Sequence, residues 1–285
     1  KAVLSLISKS YKIFATSRRK GLENNNIEWD CFDLTDFNML DAWLNRIKPE
    51  LLIHCAAIVN VDLCEENSDL AKALHVDSTE VIVKYMNYTK GRLIYISTDS
   101  VFDGNKIGAY TETDITNPLN VYAKTKLMGE KLAQSIDSSL VLRTNIIGWT
   151  KNEQVSFFEW ILESLMVNKP LSLFNDVYFS PITVDELSLI IERIINKPIF
   201  GLYNCASGDN ISKYDFGLKI SEIFHLSSLN IKSVSVDNIN LKAKRPKNMA
   251  LDVSKINSDL ACDPFAVIKS IKSMKNQYDK KNRLI

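Results

Sequence analysis

The segments Arg92–Asp99 (RLIYISTD) and Asn117–Lys126 (NPLNVYAKTK) carry the strongest structural signal in the chain. Within the first, the apolar run Leu93–Ile96 follows Gly91 and predicts a short buried strand. The three polar residues after this run therefore lie at the carboxyl end of a strand. In open α/β sheets this is the edge at which ligands bind. We therefore expect an α/β protein whose functional site follows this strand.

The second segment predicts a helix with a tyrosine and a lysine on one face. Asn117 is a candidate N-cap, and Pro118 suits the first helical turn. Tyr122 and Lys126 are one turn apart, so their side chains project from the same face. The spacing occurs at one of the ten tyrosines, and about one such pair is expected by chance. A packed tyrosine beside a solvated lysine therefore stays open as the alternative.

This pairing has a chemical use. A nearby cation favours the ionised form of a phenol, and lowering its pKa from about 10 to near 7 corresponds to roughly 4 kcal/mol. Tyr122, acidified in this way by Lys126, would give a proton to a carbonyl oxygen as a hydride reaches the carbon. The hydroxyl of Thr98, or of Ser97, would hydrogen-bond the same oxygen.

Composition limits the classes of protein that fit. The chain has 285 residues, of which 46% are hydrophobic, and 35 Lys and Arg balance 34 Asp and Glu. This balance gives no reason to expect nucleic acid or an acidic membrane as a partner. Five cysteines without a Cys-x-x-Cys pair, and three histidines without ligand spacing, argue against disulfides and a metal site. No apolar run approaches 18 residues, so we expect a cytoplasmic protein.

Beyond the pairing itself, the surrounding blocks resemble a known family. The blocks are Ser97–Gly104 (STDSVFDG), Pro118–Tyr122 (PLNVY) and Lys126–Glu130 (KLMGE). They are similar to the extended short-chain dehydrogenase/reductases, above all to the dTDP-4-dehydrorhamnose reductase branch. The resemblance implies a Rossmann-type doubly wound parallel sheet with a smaller α/β substrate-binding domain. It implies Thr98, Tyr122 and Lys126 as the catalytic residues. Lys126 would also bind the nicotinamide ribose, so Tyr122 and Lys126 are assigned to the cofactor as well. It also implies NADPH-dependent reduction of a nucleotide-linked 4-keto-6-deoxy sugar.

The amino-terminal part bears on the cofactor. Residues 1–9 look like a helix already under way, and the nine glycines supply no Gly-rich phosphate loop before it. We therefore expect either that further residues precede Lys1, which we favour, or that this protein lacks the phosphate loop. The predicted strand 12–17 ends at Ser17 and is followed by Arg18 and Arg19, with no acidic residue to bind a ribose 2′-hydroxyl. Arginine accommodates a 2′-phosphate, so NADP is favoured and NAD stays open. A solvated basic turn is the alternative.

Two further strand ends are assigned to the cofactor. In the family, the residues that match Asp33 and Leu34 lie against the adenine. The run 51–57 predicts a fourth strand, at whose end the small residues Ala56 and Ala57 would admit the cofactor. Cys55 is assigned to the same site, although its apolar surroundings also suit a core residue.

The resemblance assigns the substrate site to a set of polar residues and one valine. They are Ser97, Asp99, Val101, Asn145 and Arg245. The family usually has Ser-Trp where this chain has Asn145-Ile146, and Thr where it has Ile182, which leaves the sugar open. The segment beginning at Arg245 (RPKN) resembles one that holds the sugar nucleotide, since a guanidinium fits a phosphate through two hydrogen bonds. A surface basic turn is the alternative.

The chain divides into two predicted domains. Residues 1–148 plus about 176–201 form the dinucleotide-binding domain, and 149–175 plus about 202–285 form the substrate-binding domain. Residues 61–87 are expected to contain one long amphipathic helix, with Glu65 and Glu66 facing solvent.

Two other functions remain open. A dehydratase or epimerase uses the same scaffold, but dehydratases carry Asp-Glu where this chain has Asp99-Ser100. A non-catalytic binding subunit, like the regulatory beta subunit of methionine adenosyltransferase, also resembles these reductases. The expected partner is a nucleotide-sugar substrate, and a homodimer is left open.

Overall fold

The computed structural model describes residues 7, 10–19, 26–150 and 155–282. Of the helix expected over residues 1–9, only Ile7 is therefore described. The strands are β1 Ile13–Ser17, β2 Ile27–Cys31, β3 Leu51–His54, β4 Arg92–Ile96, β5 Ser139–Arg143, β6 Ile146–Ile147, β7 Leu171–Phe174, β8 Tyr178–Phe179, β9 Ile182–Thr183, β10 Gly201–Asn204, β11 Ile211–Ser212, β12 Ile231–Val234 and β13 Asn248–Met249. The α-helices are α1 Phe37–Ile47, α2 Val61–Glu66, α3 Ser68–Lys72, α4 Ser78–Thr89, α5 Val121–Ala133, α6 Phe157–Met166, α7 Val184–Asn196, α8 Lys213–Phe224, α9 Ser254–Leu260 and α10 Val267–Asn282.

A parallel sheet in the order β10-β5-β4-β3 forms the centre of the molecule. Successive residues of β4 point to opposite faces of this sheet. Leu93 and Tyr95 join a cluster with residues of α1 and α4, whereas Ile94 and Ile96 join a cluster with residues of α7 and α9. Helices thus cover both faces, which confirms the predicted α/β class with a doubly wound parallel sheet.

Strands β1 and β2 form a separate parallel pair. Within the described residues, no ladder of hydrogen bonds joins this pair to the central sheet. Ile13 of β1 nevertheless packs into the same cluster as Ile94, and Ile27 of β2 lies against it. The pair therefore shares its core with the central sheet.

A third cluster of buried residues lies in the carboxyl-terminal half. It combines residues from α6, α8 and α10 with residues from β7 and β12, and it includes Phe158, Phe179 and Phe216, each fully buried. The dinucleotide-binding domain was predicted to end near residue 201. Strand β10 belongs to the central sheet, however, so the sheet includes residues up to Asn204. The two-domain division itself stays a prediction.

The single long helix expected within residues 61–87 was wrong. The segment forms α2, α3, a π-helical turn at Ala73–Asp77 and then α4. Asn67 ends α2 and caps α3 by accepting a hydrogen bond from the Leu70 backbone N–H at 3.0 Å. An asparagine side chain that bonds nearby backbone competes with a continuous helix, which explains the break.

The helix start expected at Asn117 was also wrong. Helix α5 begins at Val121, and Asn120 is its cap, accepting from the Ala123 backbone N–H at 2.9 Å. The side chain of Asn117 instead donates to Asp103 at 3.2 Å. Both asparagines are reasonable caps by local rules, so tertiary contacts decide between them.

In the part of the chain that the structure describes, every helix is too short or too polar to span a lipid bilayer.

Candidate active site

The carboxyl end of β4 carries Thr98 and Asp99, both buried. Thr98 caps the short 3-10 turn Asp99–Val101, and its Oγ1 accepts from the Ser100 backbone N–H at 3.2 Å. The Asp99 carboxylate accepts from Asn145 Nδ2 at 2.6 Å, and burial raises its pKa. Asp99 and Asn145, both assigned to the substrate, therefore contact each other, since they follow neighbouring strands.

Tyr122 lies in the first turn of α5 and is half-buried. Burial raises the pKa of its phenol to about 12, and a side-chain hydrogen bond with Thr98 opposes this rise. The two hydroxyls that the sequence paired are therefore close together. The edge of the Tyr122 ring packs on His75, with 5.8 Å between ring centroids and 84° between ring planes.

His75 is fully buried and fixed in one tautomer. Its Nε2 accepts from the Ile58 backbone N–H at 2.8 Å, so Nδ1 carries the proton and donates to Thr125 Oγ1 at 2.8 Å. Burial, with the charge of Lys126, lowers the pKa of His75 to about 3. His75 is therefore a neutral support for α5 rather than a proton carrier at neutral pH.

Lys126 is buried beneath the site. Its ammonium donates to the Ile96 carbonyl at 2.7 Å and lies 4.2 Å from the centroid of the Tyr95 ring. Burial lowers the pKa of Lys126 to about 7, although the charges of Cys55 and Glu130 raise it.

The prediction that Lys126 acidifies the phenol of Tyr122 was wrong. The pKa of Tyr122 is raised to about 12 rather than lowered to near 7, and Lys126 is not among the groups that shift it. The physical reason is that burial outweighs the hydrogen bond from Thr98, while the ammonium is engaged at Ile96. The phenol is consequently protonated at neutral pH.

Ser97, predicted to bind the substrate, is engaged inside the protein. Its hydroxyl donates to Glu130 Oε2 at 2.6 Å, and Arg143 Nη2 donates to Glu130 Oε1 at 2.6 Å. The Arg143–Glu130 pair is almost completely buried, with side chains 4% and 1% exposed. Ser97 therefore stabilises the base of the site in this structure. The Thr98 hydroxyl donates to Asp99 Oδ1 at 3.2 Å, and Thr98 also acts to lower the pKa of Tyr122.

Val101 was also assigned to the substrate, but its side chain is fully buried in the core. Its carbonyl accepts from the Asn117 backbone N–H at 3.0 Å, so the residue holds the loop before α5.

Arg245 forms an ion pair in this structure. Its Nη2 lies 3.2 Å from Asp62 Oδ1, and the two side chains are 25% and 44% exposed. The preceding Lys244 carbonyl accepts from Asn120 Nδ2 at 2.9 Å, which places the Arg245 segment against the cap of α5. Arg245 thus lies near the start of the helix that carries Tyr122.

The residues assigned to the cofactor follow three parallel strands. Ser17, Arg18 and Arg19 end or follow β1, and both arginines are exposed. The Ser17 hydroxyl donates to the Arg19 carbonyl. Asp33 and Leu34 follow β2, where the Thr35 backbone N–H donates to Asp33 Oδ1 at 3.0 Å. This bond lowers the pKa of Asp33, and the charge of Arg18 contributes to the same effect.

At the end of β3, Cys55 is exposed, whereas Ala56 and Ala57 are half-buried. The core position that was also considered for Cys55 is therefore wrong. Like the residues after β1 and β2, these residues follow the carboxyl end of a parallel strand and are at least partly exposed.

Two residues of the site, Glu65 and Lys213, were not predicted. Glu65, expected to face solvent, accepts from the Val121 backbone N–H at 2.8 Å and so contacts the start of α5. Lys213 is the first residue of α8, and its ammonium lies 3.5 Å from the centroid of the Phe179 ring. The charge of Asp99 acts on the pKa of Lys213. The sequence indicates a helix capped at Ser212, but no local pattern shows that this helix lies near Asp99.

Comparison with known proteins gives a family match over nearly the whole chain. The model described as RmlD substrate binding domain matches residues 4–280. The chain is 30% identical to a dTDP-4-dehydrorhamnose reductase of Salmonella typhimurium over 243 residues, which are 81% of this chain and 81% of that protein. It is also 30% identical to methionine adenosyltransferase 2 subunit beta of Xenopus laevis over 236 residues, covering 80% of this chain and 70% of that protein.

A solved structure agrees with the fold. The dTDP-4-dehydrorhamnose reductase of Bacillus anthracis, determined in complex with NADP, superposes with a TM-score of 0.83 and covers 93% of this chain and 98% of its own. At 22% identity this likeness establishes the shared fold.

Proposed function

The chain belongs to the RmlD substrate binding domain family, and on that premise we propose that it is an oxidoreductase of the extended short-chain dehydrogenase/reductase type. It reduces the 4-keto group of a nucleotide-linked 6-deoxy sugar with NADPH. The observation that carries the proposal is the packing of α5, which carries Tyr122, against the turn that Thr98 caps at the carboxyl end of β4. The name of the Salmonella relative supports dTDP-4-dehydrorhamnose as the substrate and rhamnose biosynthesis as the pathway.

Each catalytic residue has a proposed task. NADPH, when bound, would supply a hydride for the carbonyl carbon, and the carbonyl oxygen then needs one proton to become a hydroxyl. Tyr122 gives that proton, and its raised pKa keeps the phenol protonated at neutral pH until the transfer. Thr98 donates a hydrogen bond to the same oxygen while negative charge develops on it. Lys126, one helical turn after Tyr122 on the same face of α5, provides the cation of the site.

The residues at the three strand ends fit NADP. Small side chains at Ala56 and Ala57 leave the backbone accessible, and the exposed guanidinium groups of Arg18 and Arg19 suit a 2′-phosphate. Ser17, Asp33, Leu34 and Cys55 complete the proposed cofactor set. The Bacillus anthracis structure in complex with NADP supports this choice, and NAD stays open.

The test is the oxidation of NADPH in the presence of dTDP-4-dehydrorhamnose. We expect the Tyr122→Phe variant to lose at least 100-fold in kcat, because the proton donor is gone, while its Kd for NADPH changes less than about threefold. Tyr88→Phe is the matched control, since Tyr88 is 87% exposed. Turnover of Tyr122→Phe at the wild-type rate would refute the proposed mechanism.

A second candidate function rests on the Xenopus relative, which is named as a subunit of methionine adenosyltransferase. A binding subunit would bind NADPH without reducing any keto sugar, and it would copurify with a stoichiometric partner enzyme. The reductase assignment predicts the opposite result in both measurements. A dehydratase or epimerase would leave the NADP pool unchanged through a complete cycle, so the same assay separates it from the reductase.

Two further proposals concern the state of the protein in the cell. A cytoplasmic location agrees with five free cysteines, and cell fractionation tests it. A homodimer stays a prediction that light scattering tests.

A further inference from the structure

Lys213 presents an ammonium whose hydrogens are not engaged by the described part of the protein. Its Nζ lies 3.5 Å from the centroid of the Phe179 ring and 4.3 Å from that of Phe157. Among the described residues, no carboxylate pairs with it and no acceptor takes a hydrogen bond from it. Aromatic faces attract a cation through their quadrupole and leave its N–H groups free for another acceptor. Lys213 is thus held in place without using its hydrogen-bond donors.

A chain of contacts joins the ammonium to the residues that follow β4. Ser100, which follows Asp99, contacts Met249 with 3.7 Å between Oγ and Sδ. Met249 pairs in register with Phe179, the residue whose ring carries the Lys213 ammonium. Continuous contacts therefore connect Asp99 with Lys213.

The electrostatics agree with this placement. Burial lowers the pKa of Lys213 to about 8, and the charge of Asp99 acts in the opposite direction. In turn, the charge of Lys213 lowers the pKa of Asp99, which burial raises. The two groups therefore act on each other, yet they form no direct ion pair within the described residues.

We propose that Lys213 and Asp99 bind two neighbouring hydroxyl groups of the ligand's sugar ring. The Lys213 ammonium donates to the oxygen of one hydroxyl, and the Asp99 carboxylate accepts from the other. This inference rests on the proposed function, because it takes the ligand to be a sugar nucleotide. It makes Lys213 a residue that determines substrate specificity.

A pair of neighbouring hydroxyls fits this arrangement because each hydroxyl both donates and accepts. An acceptor-only carboxylate on one side and a donor-only ammonium on the other need partners of opposite kinds. A ligand that lacks the hydroxyl bound by Lys213 would leave that ammonium without a hydrogen bond, whereas Asp99 keeps the one from Asn145. Sites built in this way discriminate strongly against analogues that lack the hydroxyl.

The experiment uses dTDP-4-dehydrorhamnose and its 2-deoxy and 3-deoxy analogues. One of the two analogues lacks the hydroxyl that Lys213 binds. We expect the wild type to prefer the parent compound over that analogue by about 10- to 100-fold in kcat/KM. In Lys213→Met this preference is expected to disappear, with an increase in KM rather than a fall in kcat. Lys213→Arg is expected to recover part of the preference, because a guanidinium is also a donor.

Lys255→Met is the matched control. The Lys255 ammonium also lies over an aromatic ring, 4.1 Å from the centroid of Tyr203, and it donates to the Leu202 carbonyl at 2.7 Å. We expect this variant to keep the wild-type preference. The Kd for NADPH, measured by fluorescence titration, is expected to stay unchanged in all variants.

The outcomes separate the two proposals. A wild type that reduces the keto sugar, together with a Lys213→Met variant that keeps the preference for the parent, overturns the role of Lys213 alone. A wild type that reduces no keto sugar overturns the proposed function. In that case the Kd for dTDP-rhamnose, measured by calorimetry, still tests Lys213. Equal values in the wild type and Lys213→Met overturn the inference.

Discussion

At the scale of single residues, the candidate site places an amine where water cannot solvate it. Lys126 is 3% exposed, and its compensation is one hydrogen bond to the Ile96 carbonyl and the face of the Tyr95 ring. The pKa of Lys126 falls from 10.5 to about 7, so burial disfavours the charged form strongly. The positive charge of Lys126 therefore destabilises the folded protein.

The Lys126→Met variant should be more stable than the wild type in weak acid. The folded protein releases the Lys126 proton near pH 7, but the unfolded chain keeps it to about pH 10.5. Between these values the unfolded state binds the extra proton, so this residue makes the wild-type free energy of unfolding rise with pH. We expect an advantage of about 2–4 kcal/mol for Lys126→Met at pH 6, shrinking steadily above pH 7.

Urea unfolding at pH 6 and pH 9 measures this advantage. The control is Lys124→Met on the same helix, because Lys124 is exposed and should show almost no such pH dependence. A Lys126→Met variant that is less stable than the wild type at pH 6 would show that the ammonium is well compensated. The same variant is expected to lose reductase activity.

The sequence predicted the partners of the site better than their environment. Thr98 and Tyr122 could be paired from the sequence because a strand end and a helix face are local properties, and their catalytic roles stay predictions. The pKa of Tyr122 could not be predicted, since it depends on how deeply α5 is packed. Ser97 was misassigned for a similar reason, because its partner Glu130 is engaged by Arg143 from another strand.

At the scale of elements, the start of α5 determines where the phenol lies. Its first backbone N–H groups are satisfied by two side chains, Asn120 at Ala123 and Glu65 at Val121. Asn120 is itself fixed by the Lys244 carbonyl, a contact that no local rule reveals. Because this contact joins distant parts of the chain, the prediction from the sequence missed it and placed the helix start at Asn117.

The Glu65→Ala variant should weaken α5 at the position of the phenol. A carboxylate at a helix N-terminus is stabilising, and the Val121 N–H would lose its partner at 2.8 Å. We expect the free energy of unfolding to fall by about 1–2 kcal/mol, and kcat to fall several-fold with an unchanged Kd for NADPH. Urea unfolding and steady-state kinetics measure the two effects.

The adjacent Glu66 provides the comparison. It pairs with Lys242 at 2.6 Å, but both side chains are about half exposed, at 53% and 54%. Such pairs contribute little, so Glu66→Ala should cost less than about 0.5 kcal/mol and leave kcat unchanged. Equal losses in the two variants would show that Glu65 has no specific role at α5.

At the scale of the whole molecule, the parallel sheet was the most predictable feature. Its strands are short apolar runs that are buried on both faces, and β5 is buried along its entire length. The contact of residues 242–245 with α2 and with the start of α5 was less predictable, because it joins distant parts of the chain. Lys242 pairs with Glu66, and Arg245 pairs with Asp62.

The ion pair between Arg245 and Asp62 allows the proposed substrate role of Arg245 to be separated from a structural one. The pair is partly exposed, so removing either side chain should lower the free energy of unfolding by less than about 1 kcal/mol. If Arg245 binds the diphosphate of a sugar nucleotide, Arg245→Ala should raise the KM for the keto sugar by about 10- to 100-fold. Asp62→Ala removes a competing carboxylate and should leave this KM equal or lower. Steady-state kinetics on the two variants, with urea unfolding of both, distinguishes the roles, because a purely structural pair predicts the same change in KM for each.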